Sequence, residues 1–172
     1  MKAIVLTGAG ESKDVFNIQD TETPKPSANQ ILIKVSHFGL NYADIMARRG
    51  MYNDRPPLPC VLGYEVVGEI AEIGSEVVGF EIGDLVLGLI QFGGYAEYCI
   101  TESLGTLRLA LGTNPAEATA LATQYCTAWF AAAIMVNLQK GDRVLIHAAA
   151  GGVGTALVQI AKLKGCEIFG TA

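Results

Sequence analysis

The sequence predicts an α/β fold in two parts: a partly open β-barrel, followed by the start of a doubly wound parallel sheet. Short apolar runs separated by glycine and proline turns extend to about residue 110. Many short strands of this kind are typical of barrels and sandwiches. Nearer the C-terminus, an apolar run, a glycine cluster and a stretch with helical periodicity follow one another. That order predicts a strand–helix–strand unit with parallel strands.

The β-rich part contains several strand candidates and one short helix candidate, over Tyr42–Arg48. Apolar and polar residues alternate from Ile31 onward, which predicts a strand buried on one face. Three prolines between residues 53 and 59 exclude regular structure there and predict a loop. The strand candidates are Ala3–Leu6, Val15–Gln19, 31–36, Tyr64–Ile73, Leu85–Ile90 and Tyr95–Ile100.

The character of the chain changes at Asn114, which predicts a domain boundary between residues 113 and 114. Asn114 suits a helix N-cap, Pro115 the first helical position and Glu117 a capping box, so a helical stretch is expected from there to Val136. The strand–helix–strand unit follows as Arg143–His147, Val153–Leu163 and 166–170. One such unit cannot cover both faces of a parallel sheet, so we expect the chain to be an N-terminal piece of a longer protein.

The glycine cluster follows the pattern A-x-G-x-x-G, with Ala149 where the first glycine of the dinucleotide-binding fingerprint stands. Gly151 allows the backbone to approach a pyrophosphate, and Gly154 allows the helix to pack closely on its strand. The backbone N–H groups at the helix N-terminus attract phosphate charge. The turn therefore predicts a dinucleotide site, and an ordinary strand-to-helix turn that uses glycine for geometry alone is the alternative.

Composition narrows the function classes. The formal net charge is −5 and no basic run occurs, so nucleic acid is not an expected partner. No apolar run of about 18 residues exists to span a bilayer, and the N-terminus lacks a signal-peptide core. The four cysteines are far apart, and we expect them to be reduced and mostly buried. A cytoplasmic protein without a transmembrane segment is predicted.

The sequence resembles the medium-chain dehydrogenase/reductase superfamily. Within it, the sequence is most similar to the zinc-independent quinone oxidoreductases and their vesicle amine transport protein relatives. The resemblance implies a GroES-like catalytic and substrate domain over 1–113. Linking helices and the first βαβ unit of a Rossmann domain, incomplete here, would occupy 114–172. The blocks that carry the resemblance are 39–44, 49–52, 59–68, 83–86, 93–98 and 147–154.

The resemblance also indicates that zinc is absent. Zinc-dependent relatives have a cysteine at the position of Asn41 and a histidine at the position of Tyr64. An amide and a phenol do not suit Zn²⁺ at neutral pH. The lobe with four closely spaced cysteines has no counterpart between Ile90 and Tyr98. Without a Lewis acid, we expect hydride addition to an electrophilic acceptor, with hydrogen-bond donors holding the developing oxyanion.

The resemblance assigns candidate site residues in both parts of the chain. Asn41, Tyr52 and Tyr64 are the catalytic candidates, although a turn-forming Asn and packing tyrosines are the structural alternatives. Asp44 and Glu65 are expected to be structural, and His147 a hydrogen-bonded core histidine. Thr127 resembles the threonine at the nicotinamide end, and a helix threonine bonding to its own turn is the alternative. The cofactor-binding candidates are Asn41, Thr127, Ala150, Gly151, Gly152, Val153 and Gly154.

The resemblance implies a reductase that transfers hydride from NADPH to a quinone or an α,β-unsaturated carbonyl compound. NADH stays open as the alternative cofactor, because the residue that distinguishes NADPH from NADH is expected just after the second strand, where the sequence ends. The whole protein is expected to be a homodimer, and the chain alone to be inactive. Two alternatives stay open: a nucleotide-binding structural or vesicle-associated protein without turnover, and an enoyl reductase module of a polyketide or fatty-acid synthase.

Overall fold

The computed structural model describes residues 1–172 and divides into two compact units, Met1–Thr119 and Ala120–Ala172. The division falls inside the helix that begins after Asn114. The assignment of a catalytic domain to 1–113 stays a prediction. No helix is both long enough and apolar enough to cross a membrane.

The first unit begins with a small antiparallel sheet in which β1 (Lys2–Leu6) lies between β2 (Phe16–Asp20) and β4 (Cys60–Val61). An isolated bridge from Ala3 to Ala96 extends the edge of β1. Leu6, the last residue of β1, and Leu62 are fully buried in one cluster with Val15 and Tyr95. A short helix, α1 (Ser12–Val15), precedes β2.

A five-stranded antiparallel sheet forms the rest of the first unit. In spatial order its strands are β7 (Tyr98–Glu102), β3 (Gln30–Phe38), β5 (Glu65–Ile73), β6 (Leu85–Leu89) and β8 (Thr106–Arg108). The register shifts twice between β3 and β5, and irregularities of this kind bend strands and increase twist. A side chain at Gly68 would overlap the carbonyl oxygen of Lys34, so glycine allows the two strands to approach. The result is a curled half-barrel, as predicted.

The sheet encloses an aliphatic core. The core residues are Ile31, Ile33, Val66, Ile70, Val86 and Cys99. Leu32, which the alternating pattern placed on the solvent face, is also buried. The predicted helix over Tyr42–Arg48 is confirmed as α2. The predicted strand Tyr95–Ile100 is wrong at its start: the Tyr95 carbonyl accepts the Ile4 N–H at 2.8 Å, and β7 begins at Tyr98.

The second unit contains two parallel strands joined by a helix. Val144 pairs with Ile168 and Ile146 with Gly170, which confirms the predicted parallel βαβ unit. Helix α3 (Pro115–Trp129) begins at the predicted cap, where Asn114 Oδ1 accepts the Ala116 N–H at 3.0 Å. A π-helical turn, Phe130–Met135, extends it. The remaining elements are β9 (Arg143–Ile146), α4 (Gly152–Leu163) and β10 (Glu167–Gly170).

Two burial predictions fail in the second unit. His147 is exposed and lies 3.1 Å from Thr171 Oγ1, so it is not a core histidine. Cys126 is exposed as well. The core of this unit is built from small residues and α4, and β9 keeps Leu145 59% exposed on its other face. A strand that is apolar along most of its length is therefore buried here on one face only.

Candidate functional site

Asn41 is the N-cap of α2 and the first predicted site residue in the chain. Asn41 and Asp44 form a capping box, in which the Asp44 carboxylate accepts the Asn41 backbone N–H at 2.9 Å. The reciprocal contacts satisfy donors that a helix N-terminus leaves without intrahelical partners. The local sequence thus sets the backbone of Asn41 before any tertiary contact is considered.

The Asn41 side chain also reaches the large sheet. Its Nδ2 donates to Oε1 of Glu65 at 2.9 Å, and Glu65, the first residue of β5, has no exposed surface. A buried carboxylate is costly unless hydrogen bonds compensate its lost hydration. This contact spans 24 residues of sequence and joins two of the family-motif blocks.

Asp44 is a second buried carboxylate beside Asn41, with 5% of its surface exposed. Burial raises the pKa of its carboxyl group, and the hydrogen bonds from the Asn41 and Gly63 backbone N–H groups partly offset that rise. A carboxyl group whose pKa is raised on folding makes the folded state less stable as pH rises from the ordinary pKa to the raised one. Asp44 is a structural residue, as expected, because its oxygens accept backbone N–H groups from two segments.

Tyr52 and Tyr64, the other two catalytic candidates, lie beside each other. The Tyr64 hydroxyl is buried, and its burial, followed by the adjacent Tyr52 hydroxyl, raises its pKa well above the ordinary value for tyrosine. The Tyr64 ring packs on Phe92 at 5.3 Å between centroids. Tyr52 is half-buried against the small-sheet cluster. The Tyr64 phenol therefore keeps its proton at neutral pH, as a donor must.

A cavity of about 440 Å³ lies against α2. Asn41 is on its wall, whereas Tyr52 and Tyr64 are not. The lining combines apolar side chains with the buried Asp44 carboxylate and the guanidinium of Arg48, which donates to the Gly10 carbonyl. Of the three predicted catalytic residues, the first unit thus brings Asn41 to this cavity and pairs the two tyrosines elsewhere. The lining residues are Ser12, Phe16, Leu40, Asn41, Tyr42, Asp44, Ile45, Arg48 and Tyr95.

The glycine turn in the second unit joins β9 to α4 with two different glycine roles. Gly154 is buried, and a Cβ there would overlap the Ala148 carbonyl and approach Ala149 Cα to 2.8 Å. Gly151 is exposed at φ −76°, where a Cβ would meet only the Ala148 oxygen at 3.2 Å. Gly154 therefore serves close packing, and Gly151 leaves its outer side open. Ala148, at φ +51°, is in the left-handed region at the start of this turn.

The N-terminus of α4 suits an anion such as a pyrophosphate. Gly151 is the N-cap, and no side chain caps the helix. The first N–H groups of a helix have no intrahelical carbonyl to bind, and the helix dipole adds positive potential there. Ala150 and Val153 are exposed at the same turn, and Thr127 is exposed on α3. These residues fit a dinucleotide phosphate, although their role in binding it stays a prediction.

Metal-binding groups are scarce. The structure contains no cluster of three or more His, Cys, Asp or Glu side chains that could hold a metal ion. At the positions expected for zinc ligands stand Asn41 and Tyr64, whose amide and phenol groups are poor ligands for Zn²⁺.

Sequence reasoning missed the contact between Asn41 and Glu65. Glu65 was expected to be structural, and no periodicity or spacing connects it to a residue in another block. No signal in the sequence could have found it, although in the folded chain a side chain at Gly39 would overlap the Glu65 carboxylate. A glycine placed against a glutamate is visible only once the chain has folded.

Comparisons with known proteins agree with this architecture. The alcohol dehydrogenase GroES-like domain family matches residues 27–134. The human synaptic vesicle membrane protein VAT-1 homolog is 36% identical over 174 residues, which cover 100% of this chain and 44% of that protein.

Two solved structures are similar over almost the whole chain. The CurK enoyl reductase superposes with a TM-score of 0.91 at 33% identity, covering 99% of this chain and 54% of that one. The quinone oxidoreductase from Thermus thermophilus, determined alone and with NADPH, gives a TM-score of 0.84 at 32% identity, covering 99% and 52%.

The chain belongs to the family of the alcohol dehydrogenase GroES-like domain. Within the medium-chain dehydrogenase/reductase superfamily, it belongs to the zinc-independent quinone oxidoreductase branch. The chain spans about half the length of the relatives it matches.

Proposed function

We propose that the protein containing this chain is an NADPH-dependent reductase of quinones or α,β-unsaturated carbonyl compounds. The observation that carries the proposal is the turn at residues 148–154, where an exposed glycine leads into a helix N-terminus that no side chain caps. Such an end binds phosphate through backbone N–H groups. The Thermus thermophilus quinone oxidoreductase, of similar fold, was determined with NADPH.

The reaction adds a hydride and a proton to the acceptor. Bound NADPH would supply the hydride to an electrophilic carbon, the electron pair would move to the acceptor oxygen, and water would supply the proton. The protein's task is then to hold the cofactor and to donate hydrogen bonds to the oxygen as negative charge develops there. No metal is needed for acceptors that are already electrophilic.

Asn41 and the tyrosine pair are the donors proposed for that task. The Asn41 amide is held by Glu65 on the wall of a cavity, which limits its loss of freedom when a ligand binds. The raised pKa of Tyr64 keeps its phenol protonated, and the Tyr52 hydroxyl lies next to it. We propose Tyr52 as the donor and Tyr64 as the residue behind it.

Two other functions have specific support. The similarity to the synaptic vesicle membrane protein VAT-1 homolog favours the vesicle-associated alternative. The similarity to the CurK structure favours an enoyl reductase. The enoyl reductase is a narrower case of our proposal, restricted to one kind of α,β-unsaturated acceptor, an enoyl thioester, and the vesicle-associated protein differs in having no chemical step.

The experiment is a fluorescence titration of the whole protein with NADPH, followed by oxidation assays with quinones, simple enones and an enoyl thioester. Gly151→Val places a branched side chain where backbone and phosphate would meet. We expect more than tenfold weaker binding, a loss of about 1.4 kcal/mol or more. Gln159→Val, exposed on the same helix, is the matched control and should bind as the wild type does.

Each outcome separates the candidates. Binding with oxidation by quinones or enones supports the reductase, and oxidation by the thioester alone supports the enoyl reductase. Binding without oxidation by any acceptor supports the vesicle-associated alternative. Wild-type affinity in a folded Gly151→Val protein would mean that the turn serves the fold only, and the proposal would lose its main support.

A further inference from the structure

Glu65 is a buried carboxylate in contact with the candidate site residue Asn41. It stands at the start of β5 with no exposed surface, beside Val66 and Val67, which are also fully buried. Its Oε1 accepts the hydrogen bond from Asn41 Nδ2. An apolar side chain of similar volume would fill the same space without the cost of burying a carboxylate. The carboxylate therefore calls for a role beyond packing.

The space around this carboxylate is shaped for it by a neighbouring glycine. The backbone N–H of Gly39 donates to the Glu65 carbonyl oxygen at 3.2 Å, so the two backbones lie in contact. A Cβ at Gly39 would occupy the volume that Oε1 of Glu65 fills. Gly39 is not in the left-handed region, so its conformation alone does not demand glycine. The glycine is explained by the carboxylate next to it.

The hydrogen bond determines which end of the Asn41 amide faces Glu65. The oxygen and nitrogen ends of an amide are nearly equal in size and exchange by a 180° flip. In the structure the NH₂ end meets the carboxylate, because Asn41 Nδ2 is the donor to Glu65 Oε1 at 2.9 Å. The oxygen end is then directed to the start of α2, where Asn41 forms its capping box with Asp44.

We propose that Glu65 is a positioning residue for the reaction: it holds the Asn41 amide so that Asn41 acts as a hydrogen-bond donor to cofactor or substrate oxygen. The inference rests on the proposed function and adds the residue, Glu65, that orients the proposed hydrogen-bond donor, Asn41. Asn41 is on the wall of the 440 Å³ cavity, whereas Glu65 is not among the residues that line it. Glu65 acts through Asn41, without touching the ligand.

A double-mutant cycle tests this dependence in the whole protein. Asn41→Ala should lower kcat/KM by about a hundredfold, the typical loss of one donor to a developing oxyanion. Glu65→Leu should lower it by about tenfold or more, as misplacement of a catalytic group does. In the Asn41→Ala background, Glu65→Leu should change kcat/KM no further. Fully additive losses would overturn the proposal.

Two further variants separate the hydrogen bond from charge and from packing. Glu65→Gln keeps an acceptor oxygen and nearly the same volume, so it should restore most of the activity that Glu65→Leu loses. Gly39→Ala keeps Glu65 but displaces its carboxylate, so it should resemble Glu65→Leu. Glu69→Leu, at an exposed position on β5, is the control and should retain wild-type kcat/KM. Glu65→Gln as impaired as Glu65→Leu would overturn the proposal.

A measurement on the wild-type protein needs no activity. The side-chain amide protons of Asn41, identified by NMR through their loss in Asn41→Ala, should exchange with water far more slowly than those of the exposed Asn53. Equally fast exchange would show that Glu65 does not hold the amide and would overturn the proposal. A protein that fails to bind NADPH but protects the Asn41 amide would contradict the proposed function and leave the positioning contact standing.

Discussion

The two candidate binding regions of this chain are built in opposite ways. In the first unit, side chains that are far apart in sequence meet in a buried polar cluster around Asn41 and Glu65. In the second unit, a continuous run from Ala148 to Gly154 presents backbone at an exposed turn. A binding site made of backbone groups can therefore be predicted from local sequence, whereas a site made of side chains depends on which strands pair.

Thiol reactivity gives the largest expected contrast between the two units. Burial raises the pKa of Cys99, on β7 in the first unit, to about 12, whereas Cys126, on α3 in the second, is exposed. At pH 8, the thiolate fraction of Cys99 falls by about three orders of magnitude relative to an ordinary cysteine. Labelling of the native chain with iodoacetamide and mass spectrometry should modify Cys126 readily and leave Cys99 unmodified. Similar rates at the two thiols would contradict the burial contrast.

The glycine turn allows the stability and binding roles to be separated. Gly154→Ala should lower the free energy of unfolding by about 3 kcal/mol, because the new methyl group overlaps the Ala148 backbone. Thr155→Ala, next to it in α4, removes only a hydroxyl that donates to the Ala149 carbonyl at 3.4 Å and is the control. Urea denaturation measures both. A Gly154→Ala protein as stable as the control would show that the helix can shift on its strand at little cost.

A tyrosine variant tests whether the side-chain site in the first unit takes part in the reaction. Tyr52→Phe keeps the ring that packs on the small-sheet cluster and removes the hydroxyl beside Tyr64. If Tyr52 donates to the acceptor, turnover should fall by about tenfold or more, within the range for loss of one general-acid or donor contact. The melting temperature should change little. Unchanged turnover would assign Tyr52 to packing.

The smallest expected effect concerns an exposed turn in the first unit. The Glu81 backbone N–H donates to Asp84 at 2.7 Å, which lowers the pKa of Asp84, and Arg108 adds to this effect. A lowered folded-state pKa gives stability that is present above the ordinary value and is lost as pH falls through the lowered one. Asp84→Asn should therefore slightly lower the melting temperature at pH 7 and leave it unchanged at an acidic pH below the lowered pKa of Asp84. An equal decrease at both pH values would assign the effect to the hydrogen bond alone.

Local pattern was sufficient for much of the fold. The helix over Tyr42–Arg48, the Asn114 cap and the parallel pairing of the two last strands follow from capping residues, periodicity and the connection between them. These features depend on contacts within a few residues or on one helix crossover. The start of β7 was misplaced because Tyr95 makes its hydrogen bond with β1 instead of with β3, and no local signal distinguishes the two.

Burial was less predictable than secondary structure. His147 and Leu145 belong to an apolar run, yet both are exposed, because what covers a strand depends on the elements packed against it. Leu32 shows the reverse case, since its place in an alternating pattern indicated exposure and the folded structure buries it.

The sequence by itself determined the glycine turn, the helix caps and the absence of cysteine or histidine at the expected zinc-ligand positions, because each depends on neighbouring residues and their chemistry. Only the tertiary structure decided that Glu65 holds Asn41, that Gly39 makes room for the carboxylate and that Tyr52 lies near the buried Tyr64 hydroxyl. Those contacts depend on strand pairing and on the curl of the half-barrel. Both bring together residues from different motif blocks, and no sequence spacing encodes the distance between them.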